Sequence, residues 1–150
     1  MSSGKTTSYA SNLLKLIFNA TTYNSNASNG IAINGTAGTP VANLYVSLHT
    51  GTLSASSTQS TSEAAYMGYA RVAVARTSSG WTVTSNSVSP AATIVFGACT
   101  GGTETETYFG IGTDSTGTGT LLYWGAISPT IAVSSGVTPE LTTATAITEA

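Results

Sequence analysis

The chain has 150 residues, enough for one hydrophobic core of ordinary size and too few to expect two. Hydrophobic residues make up 41% of it and charged residues only 7%, against roughly 25% in a typical soluble domain, so Ser, Thr, Asn and Gly must cover the surface. Four basic residues and a net charge of −2 neutralise few phosphates and count against a nucleic-acid partner; no stretch approaches the roughly 20 apolar residues of a membrane span, which counts against a membrane one.

Met1 to Thr7 lacks the apolar run of a signal peptide, so synthesis in the cytoplasm is expected, and the Asn19, Asn26 and Asn34 sequons read as products of Asn/Ser/Thr richness. The spacing of Leu13, Leu14, Ile17 and Phe18 predicts one short helix over Ser11 to Asn19, capped by Ser8 or Ser11. So short a helix must pack its stripe on something, its own sheet by preference or a neighbouring subunit. Residues 21–40 read as a flexible Asn-, Ser- and Gly-rich loop with an apolar island at Ile31 to Ile33.

From Val41 the period changes to two. Leu44, Val46 and Leu48 alternate with Tyr45 and Ser47, predicting a strand with one buried face. Further strands are predicted at Tyr69 to Arg76, Trp81 to Thr84, Thr93 to Ala98, Thr105 to Ile111, Leu121 to Ile127, Thr130 to Val133 and Ala144 to Ile147. Asn86 to Pro90 reads as a break, and Gly112 to Gly119 as a hairpin connection. Seven to nine short strands joined by polar turns form an antiparallel β-sandwich or jelly-roll-like fold, all-β apart from the N-terminal helix, in a single domain over 1–150.

Residues that carry chemistry are sparse. His49, the only histidine, ends a strand, and no Gly-x-Ser-x-Gly elbow marks a nucleophile to accompany it, so it reads as a structural hydrogen-bonder. Glu104 and Glu106 project from one face of a strand as paired carboxylates could, with Asp114 a conceivable third ligand; a solvated strand face is preferred. Arg71 and Arg76 are expected to pair with Glu63 or Glu104. Cys99 is the only cysteine, which allows no internal disulfide and no Cys-based zinc site. Gly4-Lys5-Thr6 and Gly110-x-Gly112 lack the flanking strand and helix of nucleotide-binding loops. No catalytic residue, cofactor or metal is expected. The aromatics Tyr45, Tyr66, Tyr69, Trp81, Tyr108, Phe109, Tyr123 and Trp124 are core residues or, on alternate positions, contributors to a protein interface or a sugar-stacking surface.

The order of five segments is distinctive: Asn12-Leu-Leu-Lys-Leu-Ile-Phe18, Leu44-Tyr-Val-Ser-Leu-His-Thr50, Tyr66-Met-Gly-Tyr-Ala-Arg-Val-Ala-Val74, Phe109-Gly-Ile-Gly112 and Gly119-Thr-Leu-Leu-Tyr-Trp-Gly-Ala126. It resembles a family of small tailed-phage virion proteins, variously labelled tail fibre or head decoration (cement) proteins. The resemblance implies a non-enzymatic structural protein of the virion. The leading expectation is a capsid cement protein on the outer shell that bridges major capsid protein subunits as a homo-oligomer; the alternative is a tail fibre, receptor-binding or collar module. Interface candidates are Leu13, Leu14, Ile17, Phe18, Ile31, Ile33, Tyr66 and Trp124.

Overall fold

The computed structural model describes residues 4–20 and 41–149; the Asn/Ser/Gly segment with Ile31 and Ile33 lies outside the described residues. Helix α1 spans Thr7–Phe18, four residues longer at its start than the sequence suggests. The cap is Thr6, whose side chain accepts from the Tyr9 amide at 3.3 Å, rather than Ser8 or Ser11. The stripe explains the extension. Ala10, Leu14 and Phe18, four residues apart, are the positions that bury, and Ala10 draws one more turn onto the core. At the other end Arg76 donates from Nε to the Ile17 carbonyl at 2.7 Å and from Nη2 to the Leu16 carbonyl at 3.0 Å, closing orphan acceptors of the last turn.

Among the described residues nine strands follow: β1 (Asn43–His49), β2 (Val72–Ala75), β3 (Trp81–Thr84), β4 (Ser87–Pro90), β5 (Ile94–Val95), β6 (Thr103–Gly112), β7 (Leu121–Ser134), β8 (Glu140–Leu141) and β9 (Ile147–Thr148). All pairings are antiparallel. One layer is a four-stranded sheet in the order β2-β1-β6-β7; the other combines α1 with the β3-β4-β9 sheet and the β5-β8 ribbon. The core between them joins Leu44, Val46, Leu48, Phe109, Ile111 and Val133 of the large sheet to Leu14, Phe18, Trp81, Val88, Ile94 and Leu141 opposite. Phe18 meets Trp81 edge-on with ring centres 4.8 Å apart. The fold is an all-β sandwich with one short helix.

Three expectations need correction. Asn86 to Pro90 is not a break, since Ser87–Pro90 is β4, paired with β3 through a tight turn in which Ser85 has φ +54°. Its serines mimic a loop composition, but Val88 and Pro90 alternate inwards. The predicted strands at Leu121 to Ile127 and Thr130 to Val133 are one strand, β7. Its register steps from Tyr108↔Ala126 to Glu106↔Ile131, so residues 127–130 bulge out opposite Thr107. Tyr69 to Arg76 contracts to the four residues of β2, because Tyr69 and Arg71 turn into a polar network and Arg76 caps the helix.

Candidate interaction surface

The outer face of the large sheet carries a polar network that resembles a catalytic arrangement. Ser47 and His49, two apart on β1, point away from the core; their Oγ and Nε2 lie 2.8 Å apart, and His49 Nδ1 donates to the Thr61 carbonyl at 2.8 Å. With Nδ1 protonated for that carbonyl, Nε2 accepts the Ser47 hydroxyl proton. Both residues are fully buried, sealed beneath the segment 50–63, so no substrate reaches the hydroxyl. Burial holds the His49 pKa below its ordinary value, opposed by the Thr61 hydrogen bond.

Two clamps hold that segment down. Glu63 takes Arg71 in a fork, Nε to Oε1 at 2.6 Å and Nη2 to Oε2 at 2.7 Å, and accepts Tyr69 Oη at 2.9 Å. The Glu63 pairing raises the Arg71 pKa further, and burial raises that of the Tyr69 hydroxyl. Arg71 also donates to the Asp114 and Gly117 carbonyls, tying the β6–β7 hairpin to the same carboxylate. Gln59, fully buried, mimics a strand: its Oε1 accepts from the Asp114 amide and its Nε2 donates to the Asp114 carbonyl. It lies flat on Gly112, where a Cβ would come within 2.1 Å of its Cδ. Of the two partners foreseen for the arginines, Arg71 uses Glu63, and Arg76 binds helix carbonyls instead.

Glu104 and Glu106 do share a face of β6, but not a solvated one. Glu104 Oε1 accepts from the Ala65 amide at 2.9 Å and the Tyr66 amide at 3.0 Å. Glu106 has no exposed surface, and neither carboxylate oxygen has a hydrogen-bond partner. Its pKa is pushed up to about 8, by burial first and then by Glu104. Asp114 lies past the far end of β6, and among the described residues no group of three His, Cys, Asp or Glu could hold a metal ion.

One surface that remains open is the β7 side. β7 is the edge of the large sheet, and none of its 14 residues is charged. Trp124 is 37% exposed, and Ala126, Ser128, Pro129, Thr130 and Ala132 are exposed with it. Between the bulge and the segment 140–146 runs a groove of about 530 Å³ with Phe109, Ile131 and Leu141 as its apolar floor and Ser128, Thr142 and Thr145 at its rim. Of the residues singled out from the sequence, Leu14, Phe18 and Tyr66 are buried within the chain and offer no surface, while Leu13 and Ile17 are partly buried on the helix. Among the described candidates only Trp124 is open. Periodicity identifies apolar stripes but not what covers them, which is why core positions entered that set. Met67 at 66% and Val95 at 50% exposure carried no sequence signal.

No helix among the described residues is long and apolar enough to cross a membrane. No curated protein matches the chain. A family model, the podophage GP4 fiber I protein gp80, matches residues 19–148, which takes in every strand of the sandwich. The chain therefore belongs to the podophage GP4 fiber I protein gp80 family and is a structural protein of a tailed-phage virion.

Proposed function

We propose that the chain is a fibre component of the phage tail, held in place by neighbouring protein subunits, further copies of itself included, through its β7 side. The observation that carries this is the edge strand itself: 14 residues without a charge, an exposed Trp124 and an adjoining apolar groove. Uncharged edges with free backbone groups invite protein contacts, and aromatic residues anchor them. The family description supports a fibre over the capsid cement role that leads the reading of the sequence.

The test is antibody labelling of intact virions by electron microscopy, with copy number per particle from quantitative mass spectrometry. Label on the tail in a small number of copies is expected. Label spread over the head in hundreds of copies would overturn the fibre reading and establish binding to the major capsid protein.

A further inference from the structure

We propose, resting on the β7 side being the assembly surface, that copies of this chain join by seating Trp124 of one copy in the groove beside β7 of another. The first support is that a single chain carries both halves of the contact. Trp124 stands 37% exposed on β7, opposite Gly110. The groove opens two residues further along the same strand, where Ala126 begins its lining, and Trp124 is not part of that lining. The indole therefore leaves the groove of its own chain unfilled, and a second copy presents the same groove to it. Tyr9, Val41, Met67 and Val95 are the other exposed large apolar side chains among the described residues, and none of them lies on β7 or lines the groove.

The second support is fit. At about 530 Å³ the groove falls within the roughly 300–1,000 Å³ of clefts that enclose small organic groups, so an indole can enter with the residues that flank it. Phe109, Ile131 and Leu141 give its rings an apolar floor that includes an aromatic partner. A buried indole N–H needs an acceptor, and the hydroxyls of Ser128, Thr142 and Thr145 stand at the rim.

The third is charge. Glu140 is the one charged residue lining the groove, and β7 has none. The contact thus takes almost no charge out of water and sets no like charges of two β7 strands against each other. A partner that recognises its target through ion pairs finds little to pair with here, whereas a second copy matches the surface in being uncharged, and association between identical chains is the commonest kind.

The experiment is sedimentation velocity of the full chain from about 1 μM to about 1 mM, a range that spans tight and weak self-association, with acrylamide quenching of tryptophan fluorescence in parallel. The wild type should exceed the monomer mass, as a dimer where insertion is reciprocal and as a larger ring where it runs head to tail. Trp81 is 1% exposed, so quenching reports on Trp124 and should fall as the protein associates. Trp124→Ala, which lacks the indole, and Ala144→Arg, which blocks the groove from an exposed position, should each stay monomeric. Mixed, they should form a complex with one copy of each, because the first keeps an open groove and the second keeps its indole. Ala144 lies outside every strand, so Ala144→Arg carries the test if Trp124→Ala does not fold. A wild type that stays monomeric over the whole range, an assembly that survives either substitution, or a mixture that yields no complex would overturn the proposal. A monomeric wild type together with label on virion tails would leave the fibre reading standing and assign the β7 side to a different protein.

Discussion

Glu106 and His49 are both buried, but their protonation pulls stability in opposite directions. For Glu106 the folded-state pKa is raised to about 8, so its contribution is fully present below the unfolded value and is lost as pH rises towards 8. For His49 the folded pKa is depressed, so its contribution is present above the ordinary histidine value and is lost as pH falls below it. Urea unfolding across pH 5 to 9 should therefore show Glu106→Gln gaining on the wild type at up to about 1.4 kcal/mol per pH unit as pH rises to 8. With that opposing slope removed, the acid-side loss from His49 becomes visible. Ser47→Ala removes the hydroxyl that His49 Nε2 accepts from, and should destabilise by roughly 1–3 kcal/mol through an unsatisfied buried acceptor.

At the scale of elements, two side chains replace secondary structure as the fastening. Arg76 binds the Leu16, Ile17 and Val41 carbonyls and so fixes both α1 and the entry to β1. Arg76→Met should cost about 2–4 kcal/mol, read by chemical denaturation, with Arg76→Lys recovering little because an ammonium cannot fork to three carbonyls. Gln59 fastens the segment 50–63 over Gly112. Gly112→Ala places a Cβ against Gln59 and should lift that segment, making it the first site of cleavage in limited proteolysis while the strands stay intact. A control at Gly117, where a Cβ would meet nothing but φ is +75°, should leave the segment closed.

For the whole molecule, low charge and the open β7 side are the features that bear on assembly. Trp124 is exposed on the outer face of β7, opposite Gly110. Trp124→Ala should leave the chain folded, at a cost of about 0.5–3 kcal/mol because most of the indole is covered, yet reduce the number of copies incorporated per virion, measured by mass spectrometry of purified particles. With ten charged residues and a net charge of −2, that incorporation should depend little on ionic strength between low and physiological salt.

Composition and period two determined the class. Few charges and abundant Thr, Val, Ile and Tyr leave a pleated sandwich as the way to bury the apolar set, and alternation at Leu44, Val46 and Leu48 placed β1 within two residues of its bounds. The order of short motifs pointed to the phage virion family. What the sequence left open were matters of pairing across distance. Whether a serine-rich stretch is a turn or β4, whether two apolar runs are one strand, and whether Arg76 meets a carboxylate or a helix end all depend on partners tens of residues away. Spacing placed Glu104 and Glu106 on one face but could not tell that the face is roofed over. Burial is a property of the packed whole, and it is the first cause that pushes the Glu106 pKa up to about 8.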